Sequence, residues 1–500
     1  MFYPDITGGV LSIRLRERKL CMSVLSEQEP KNVLRFFEEI CAIPHGSGNT
    51  KAISDYLAVF ARERGLRCRQ DASNNVIIWK AGSPGYEDAP VVMIQGHMDM
   101  VCEKEPDCSR DMDHEGLDLF VEGDEIGARG TTLGGDDGIA VAMALAVLDD
   151  DKISHAPLEC LFTVDEEVGM LGARSLDASD LQAAYLLNID SEAEGVLTVS
   201  CAGSTRVVST LPITREAFTG ATMLLSVSGL IGGHSGEEIH KGRANANILL
   251  GRALCELARR CELRLVDVRG GAKDNAIPRE ARALVSLSDP AAALAAVEEL
   301  NRALSVEYRA ADKDVAIGLS SAESPLLPMT AESSRRGSCF LFCAPNGVQI
   351  MSPEVPGLVQ TSLNLGQIST EDASVSARFM VRSSVNSQKD ETTARVAVLT
   401  ETLGGSVDIP AAYSAWEFRP DSPLRDRMVE AFRAVYGRDP KIEALHAGLE
   451  CGILSGKMPW LDCISFGPDL TNIHTPRERL HIASTQRTWA LLLETLRRLR

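Results

Sequence analysis

The chain has 500 residues, a formal net charge of −19 and a hydrophobic fraction of 44%, so it can form more than one hydrophobic core. Its acidic excess excludes nucleic acid and anionic membrane surfaces from the expected partners. The 13 cysteines include no C-x-x-C pair, which argues against a disulfide framework and for a cytoplasmic location. No apolar stretch reaches membrane-spanning length, so we expect no membrane partner.

The first part of the chain alternates helices and strands. Residues 1–21 are basic but lack the apolar segment of a signal peptide, and we expect an unstructured extension there. Helix-spaced apolar residues mark 33–40 and 52–61, and a wholly apolar helix is predicted at 136–148. Short β-rich runs lie at 76–79, 91–95, 158–164 and 186–189. This alternation predicts an α/β domain whose sheet is covered by helices on both faces.

The pattern changes near Cys201. Runs at 207–211, 222–227 and 374–381 alternate apolar and polar residues, as half-buried antiparallel strands do, and helices are predicted at 244–259 and 291–304. The earlier style returns with a helix at 426–435, a strand at 463–466 and a helix at 484–499. We therefore predict a first domain built from 22–204 and 404–500, with a second domain inserted at 205–403.

Chemically active side chains follow the predicted strands at the points where those strands end. His97 and Asp99 follow the strand at 91–95, Glu166 and Glu167 follow 158–164, and Asp190 follows 186–189. Because open α/β sheets bind ligands beyond the carboxyl ends of their strands, we expect these residues to share one crevice. Each also has a simpler interpretation, since a histidine beside an aspartate can be a core pair and an acidic run is usually a solvated loop.

Two more candidates complete a metal-binding hypothesis. Asp136 opens the apolar helix after two glycines, where acidic caps are also common, and His474 follows the late strand. Two imidazoles and three carboxylates suit a pair of zinc-like ions. On this hypothesis one ion is held by His97 and Asp190, the other by Glu167 and His474, with Asp136 as the bridge and Glu166 as the general base.

The order of these motifs resembles the M20 metallopeptidases. The motifs are Gly-His-Met-Asp, Gly-Asp-Asp-Gly, Asp-Glu-Glu-x-Gly, Asn-Ile-Asp-Ser-Glu and a late Asn-x-His. Runs at 232–240, 275–280 and 446–452 further resemble the aminoacyl-histidine dipeptidase branch. The resemblance extends from about Met22 to the C-terminus. It implies an α/β fold with a zinc-peptidase-like mixed sheet sandwiched by helices, and an inserted α+β lid domain used for dimerisation.

The resemblance also implies an activity and roles for individual residues. Such proteins hydrolyse dipeptides, especially Xaa-His, with a water bridging two Zn²⁺ per chain, and Mn²⁺ or Co²⁺ are possible substitutes. The implied metal ligands are His97, Asp136, Glu167, Asp190 and His474, with Asp99 orienting His97 and Glu166 as the general base. The implied lid residues are His234 for the oxyanion, Asn275 and Arg382 for the substrate backbone and carboxylate, and Gly448 for backbone contacts. Without the resemblance, His234 would be taken as a turn residue and Arg382 as a surface residue.

Asp137 departs from this pattern, because the related dipeptidases are expected to have asparagine there; residues 1–21 match nothing in the family. Other M20 amidohydrolases, such as a tripeptidase or an N-acyl amino acid deacylase, remain alternatives, as does a non-catalytic metal-binding scaffold. The long inserted domain favours a dipeptidase over a deacylase, and the complete ligand set disfavours a scaffold. The expected partners are small dipeptide substrates and a second copy of the chain in a homodimer.

Overall fold

The structure is a computed structural model that describes residues 24–500, so the predicted extension at 1–21 lies outside the described residues. Two compact units are present. The first runs to Val199 and also includes Arg419–Glu443 and Ile453–Arg500, and the second comprises Ser200–Phe418 and Ala444–Gly452. The sequence-based domain boundaries stay predictions, because compactness alone does not define which segments fold independently.

The secondary structure alternates as predicted in the first part of the chain. The helices are α1 Lys31–Cys41, α2 Lys51–Glu63, α3 Gly135–Asp149, α4 Leu171–Ser175, α5 Ala246–Ala258, α6 Pro290–Glu307, α7 Ala331–Cys343, α8 Asn386–Thr402, α9 Pro423–Tyr436, α10 Glu450–Lys457 and α11 Ile482–Arg498. The strands up to the start of the second unit are β1 Arg67–Gln70, β2 Val76–Lys80, β3 Val92–His97, β4 Leu119–Glu122, β5 Glu125–Ala128, β6 Leu158–Thr163, β7 Tyr185–Asn188 and β8 Val196–Cys201. The later strands are β9 Gly203–Pro212, β10 Ala221–Ser228, β11 Gly233–His234, β12 Leu263–Gly270, β13 Ala276–Ile277, β14 Ala281–Leu287, β15 Ala316–Ser321, β16 Gly347–Met351, β17 Val359–Thr370, β18 Ser374–Ser383, β19 Ser406–Tyr413, β20 Lys441–Leu445, β21 Asp462–Ser465, β22 Leu470–Thr471 and β23 Arg479–His481.

An eight-stranded mixed sheet organises the first unit, in the order β1-β2-β6-β3-β7-β21-β8-β20. Its central strands β6, β3, β7 and β21 are parallel, whereas β2 and β8 pair with them in the antiparallel sense. In the central register Val92 lies opposite Leu158 and His97 opposite Thr163. The carboxyl ends of the four parallel strands therefore share one edge, and the loops that follow them begin there. The predicted mixed sheet is confirmed.

Helix α3 begins near that edge of the sheet and is almost entirely buried. Its side chains are buried from Gly135 to Leu148, because α3 packs against both α1 and β3. Gly96, near the end of β3, makes this approach possible. A Cβ atom at Gly96 would lie 2.5 Å from both Ala140 Cβ and Asp137 Oδ2, closer than real carbon contacts allow. The absent side chain thus lets the start of α3 lie directly against the end of β3.

A nine-stranded antiparallel sheet organises the second unit. Eight of its strands follow the order β15-β10-β14-β12-β17-β18-β9-β19, and β16 pairs with β17. Helices α5, α6 and α7 supply buried apolar residues to a core shared with this sheet. The predicted α+β character of the inserted domain is confirmed. Within residues 24–500, no helix is both long and apolar enough to cross a membrane.

Candidate active site

Five side chains at the strand-end edge of the first unit form a compact polar cluster, here called the ligand cluster. Its members are His97, Asp136, Glu167, Asp190 and His474. His97 is the last residue of β3, whereas Glu167, Asp190 and His474 lie in the segments that follow β6, β7 and β21. Asp136 lies in the first turn of α3. The fold therefore brings together residues far apart in sequence: Asp136 and His474, whose side chains are in contact, are 338 positions apart.

The carboxylate of Asp136 lies between the two imidazoles. Its Oδ1 atom is 3.1 Å from His97 Nε2, and its Oδ2 atom is 3.2 Å from His474 Nε2. Glu167 Oε1 lies 2.8 Å from the same nitrogen of His474, and Asp190 Oδ1 lies 3.7 Å from His97 Nε2. By these contacts Asp190 lies beside His97 and Glu167 beside His474, and a donor atom of Glu167 also lies within 4.8 Å of one of His97.

The spacing of these atoms fits bound divalent metal ions. Ligand atoms about 2.0–2.2 Å from a tetrahedral zinc ion lie roughly 3.3 Å from one another, and the spacings above lie around that value. One donor atom from each of His97, Asp136 and Glu167 lies within 4.8 Å of the others, and the same holds for His97, Asp137 and Asp190. Imidazole nitrogen and carboxylate oxygen are donors that zinc and manganese accept. The residues present therefore fit a metal pair.

The pKa values of the ligand-cluster side chains are shifted by their mutual contacts and by burial. Hydrogen bonds to Asp136 and Glu167 raise the pKa of His474 to about 10. Burial raises the pKa of Asp190 to about 7, although His97 partly opposes this change. Burial would also raise the pKa of Asp136, but hydrogen bonds from His474 and His97 lower it overall. Such pKa shifts are typical of a group of buried acids that favours positive charge, as metal cations supply.

The tautomer of His97 suits metal binding through Nε2. Its Nδ1 atom donates to the backbone carbonyl of Asp99 at 2.9 Å, while the Asp99 carboxylate is 3.5 Å away. A neutral imidazole that donates through Nδ1 has a lone pair on Nε2. Asp99 therefore holds His97 mainly through its main chain. The Asp99 carboxylate accepts hydrogen bonds from Ser47 Oγ at 2.8 Å and from the backbone N–H of Glu166 at 3.1 Å.

Glu166 lies in a tightly bonded turn beside the ligand cluster. Its backbone carbonyl accepts hydrogen bonds from the N–H groups of Gly169 and Met170 at 2.8 and 2.7 Å. Together with the Asp99 contact, these bonds fix the main chain on both sides of the Glu166 side chain. Its neighbour Glu167 turns toward His474, so the adjacent acids of this turn are held by different partners.

Two acidic residues near the cluster were not assigned a role from the sequence. Asp137, noted only as an added charge, is 1% exposed and accepts a hydrogen bond from the backbone N–H of His97 at 3.2 Å. Burial raises the pKa of Asp137 well above its usual value, and the nearby Asp190 adds to that rise. Glu478 contacts the loop that leads to Asp136. Its position four residues after His474 was the available signal, but no local pattern distinguishes it from a surface glutamate.

In the second unit, His234 lies on one of two short paired strands, and Asn275 directly precedes the other. His234 in β11 is opposite Ala276 in β13, and the N–H of Ser235 donates to the Asn275 carbonyl at 2.9 Å. The N–H of Glu237 donates to His234 Nδ1 at 3.2 Å, so the neutral ring has its proton on Nε2. Burial lowers the pKa of His234, and the positive charge of Arg382 adds to this effect. His234 is therefore a neutral donor at neutral pH.

Arg382 belongs to the same polar group of the second unit, here called the arginine cluster: Arg382, His234 and His446 around Gly236. A Cβ at Gly236 would lie 3.2 Å from Arg382 Nε, 3.1 Å from His234 Cε1 and 2.7 Å from the His446 carbonyl. Arg382 is only 7% exposed. Its Nε atom has no hydrogen-bond partner within the described part of the chain. A buried guanidinium with an unused donor is suited to an anion.

His446 and Gly448 lie in the segment that returns to the second unit. Burial, with the charge of Arg382, lowers the pKa of His446 to about 3, and its Nε2 atom lies 2.7 Å from Ser362 Oγ. The sequence motif containing His446 was noted, but the residue was assigned no role. Gly448 packs against the Tyr413 ring, where a Cβ would lie 2.9 Å from Cζ. This packing explains the glycine, and its predicted substrate contact stays a prediction.

Comparison with known proteins identifies the family. The model of peptidase family M20/M25/M40 matches residues 93–498. This chain belongs to the M20/M25/M40 peptidase family. The M20 peptidase is 38% identical over 480 residues to the cytosol non-specific dipeptidase of Escherichia coli (strain K12), with 95% of this chain and 99% of that relative covered. The family predicted from the motifs is confirmed, and peptidases of this family are metal-dependent.

Solved structures show the same relationship. The M20 peptidase matches the crystal structure of aminoacylhistidine dipeptidase from Vibrio alginolyticus with a TM-score of 0.89 and 37% identity, covering 96% of this chain and 99% of that one. It also matches aminopeptidase PepT from Bacillus cereus with a TM-score of 0.55 and 15% identity, covering 94% and 99% of the two chains. The second match shows a shared fold alone.

Proposed function

We propose that this M20 peptidase is a dipeptidase that hydrolyses unsubstituted dipeptides, including Xaa-His, and holds two zinc ions per chain. The observation that carries this proposal is the position of Asp136, whose two carboxylate oxygens face two different imidazoles. One carboxylate shared in this way is suited to bridge a pair of ions. The dipeptidase names of the Escherichia coli and Vibrio relatives support the dipeptide substrate class.

The residues of the first unit would share the work of hydrolysis. The ligand cluster would hold the zinc ions, which would supply a Lewis acid for the attacking water and the scissile carbonyl. Glu166 would accept a proton from the attacking water and return it to the leaving amine. Asp99 holds both the His97 ring and the backbone of Glu166, so one residue fixes a ligand and the general base relative to each other.

The second unit would supply donors for the substrate. His234, neutral with its proton on Nε2, would donate to the oxyanion that develops on the carbonyl oxygen during attack. Arg382 would bind the C-terminal carboxylate of a free dipeptide, while Asn275 and Gly448 would contact its backbone. The support for Arg382 is its burial without a hydrogen-bonded acid among the described residues.

Two further parts of the proposal concern the setting of the enzyme. A cytoplasmic location is supported by the name of the Escherichia coli relative and by the twelve free cysteines between residues 24 and 500. A homodimer is proposed from the family resemblance, with the second unit as the dimerisation domain.

A substrate panel after metal exchange tests the activity. The protein is stripped with EDTA and reloaded with Zn²⁺, Mn²⁺ or Co²⁺, and three products are measured: free histidine from a Xaa-His dipeptide, the N-terminal residue from a tripeptide, and acetate from an N-acetyl amino acid. We expect metal-restored release of histidine at the highest kcat/KM. Preferred turnover of the tripeptide or the N-acetyl substrate would instead identify another amidohydrolase of the family. A protein that binds metal but turns over none of the three would be a scaffold.

A further inference from the structure

A buried carboxylate contacts the loop before the bridging aspartate. Glu478 is 2% exposed and accepts four hydrogen bonds from consecutive backbone N–H groups. Its Oε2 atom accepts from Leu133 at 2.8 Å and Gly134 at 3.1 Å, and its Oε1 atom accepts from Gly135 at 2.8 Å and Asp136 at 3.3 Å. Both oxygens are therefore used in full, each by two neighbouring amides.

These amides belong to the start of α3, which has no side-chain cap from its own N-cap residue. The first N–H groups of a helix lack partners within the helix and carry partial positive charge. Gly134 has a φ of 67°, a left-handed conformation that turns successive amides toward one point. Glu478 occupies that point from 342 residues further along the chain, so an anion from a distant loop completes the helix start.

The same distant loop also supplies a ligand-cluster residue. His474 lies four residues before Glu478, and the N–H of Glu478 donates to the Thr475 carbonyl at 3.0 Å, which closes a turn between them. His474 faces Oδ2 of Asp136, while Glu478 binds the backbone N–H of Asp136. One short segment therefore contacts Asp136 at both its side chain and its main chain.

We propose that Glu478 is a positioning residue of the metal centre: it fixes the backbone at Asp136 so that one carboxylate oxygen faces His97 and the other faces His474. This role rests on the proposed metal role of Asp136. A glutamate is required because four N–H donors need two acceptor oxygens with two lone pairs each. A glutamine would turn an NH₂ group toward one pair of donors, leaving those amides unpaired and the loop free to move.

The chain offers a matched control in Glu159. It is also 2% exposed, and its carboxylate accepts hydrogen bonds from the backbone N–H groups of Gln182 and Ala183 and from Trp79 Nε1, at 3.0–3.3 Å. Glu159 lies near the start of β6, at the opposite end of that strand from the ligand-cluster edge. Glu159→Gln therefore removes a comparable buried carboxylate without touching the loop at Asp136.

The test compares the full-length wild type, Glu478→Gln, Glu478→Asp and Glu159→Gln. Affinity for Co²⁺ and Zn²⁺ is measured by chelator competition, metal content by mass spectrometry, and the Co²⁺ site by its visible absorption spectrum. Thermal melting and the separate values of kcat and KM accompany these measurements. We expect Glu478→Gln to weaken metal affinity about 10–100-fold, to alter the Co²⁺ spectrum and to lower kcat more than KM. Glu159→Gln should lower Tm while leaving affinity, spectrum and kcat unchanged.

Glu478→Asp keeps the charge but is one methylene shorter, so it should recover part of the metal affinity and keep the protein folded if the glutamine variant is not. The positioning role would be overturned if either Glu478 variant were folded and kept the metal affinity, the Co²⁺ spectrum and the kcat of the wild type. Equal loss of metal affinity in Glu159→Gln would overturn it as well, because the effect would then follow from general destabilisation. A wild-type protein that binds no divalent ion would overturn the proposed function itself, which separates the two failures.

Discussion

The ligand cluster of the first unit gathers the carboxylates of Asp136, Glu167 and Asp190 around two imidazoles, and the buried carboxylate of Asp137 lies beside it. The arginine cluster of the second unit gathers a buried guanidinium and two histidines, and within residues 24–500 no acid forms an ion pair with Arg382. The local charges have opposite effects. In the first unit, hydrogen-bonded acids raise the pKa of His474 to about 10, whereas in the second unit burial and Arg382 lower that of His446 to about 3.

This contrast indicates the sign of the charge that each of the two clusters favours in a bound group. Buried like charges repel strongly unless an opposite charge compensates them. The first unit has an excess of acceptors and needs cations, and the second has an unused cationic donor and needs an anion. A peptide substrate offers a carbonyl that metal ions polarise and a carboxylate that a guanidinium binds. The four predictions below test whether the two clusters divide the work in this way.

The largest effect is expected at the bridging residue. Asp136→Asn replaces one of the two oxygens that face the imidazoles, so metal affinity should fall by more than about 100-fold, beyond the usual cost of changing a residue that only supports a ligand. Metal content after dialysis and kcat are the measurements. Glu159→Gln is the control, because this buried carboxylate lies at the opposite end of β6 from the ligand cluster, and it should keep the wild-type metal content. Full metal binding by Asp136→Asn would remove the bridging role.

The next effect separates catalysis from metal binding within the first unit. Glu166→Gln should lower kcat by about 10²–10⁴-fold, the usual contribution of a general base, while metal content stays at the wild-type value. The measurements are steady-state kinetics and metal analysis on the same preparation. If metal content fell together with kcat, Glu166 would be a ligand rather than the proton acceptor.

A smaller effect is expected in the arginine cluster. Arg382→Ala should raise KM for free dipeptides about 10–100-fold, because a hydrogen bond to a charged group contributes about 1.5–3 kcal/mol. KM for C-terminally amidated dipeptides, which lack the carboxylate, should change much less. Arg378→Ala is the control, since Arg378 is exposed on the same strand, β18, and should leave both constants unchanged. Equal changes for free and amidated substrates would exclude carboxylate binding.

The smallest effect concerns pH and stability in the second unit. His446 has a pKa of about 3 when folded, below the ordinary value of 6.5, so the unfolded chain binds the proton first as pH falls. The stabilising effect of neutral His446 is present above pH 6.5 and is lost between pH 6.5 and 3, by at most about 1.4 kcal/mol per pH unit. His446→Gln should therefore flatten the decline of Tm with falling pH. His114→Gln, at an exposed site, should not, and identical slopes for wild type and His446→Gln would refute this assignment.

The sequence predicted the first unit better than the second. Helices near 33–40, 52–61 and 136–148 and the strands between them are present, because long apolar runs at helical or strand spacing reflect burial directly. Helices α7 and α8 were not predicted. Helix α7 contains Ser333, Ser334, Gly337 and Ser338, and α8 contains four threonines; serine, threonine and glycine have lower helix propensity than alanine or leucine. Packing within the second unit stabilises these helices where local sequence does not favour them.

The candidate active site was also predictable only in part. Four of the five predicted ligand residues could be located by their positions at or after strand ends and Asp136 by its place at the start of an apolar helix, and the structure brings all five together. The contacts that orient them could not be predicted. Asp99 holds His97 mainly through its carbonyl oxygen, an atom that every residue possesses, and Asp137 binds the His97 amide. Main-chain contacts of this kind do not depend on residue type, so no sequence pattern predicts them.

By itself the sequence determined the family and the alternation of helices and strands, and it located the acidic and histidine side chains that come together, because strand ends and buried acids constrain residue type locally. Only the tertiary structure decided how those side chains face one another. The two oxygens of Asp136 are directed by the parallel register of β3, β6, β7 and β21 and by the amides that Glu478 holds. These contacts join residues hundreds of positions apart, so their geometry depends on packing of the whole first unit rather than on any local pattern.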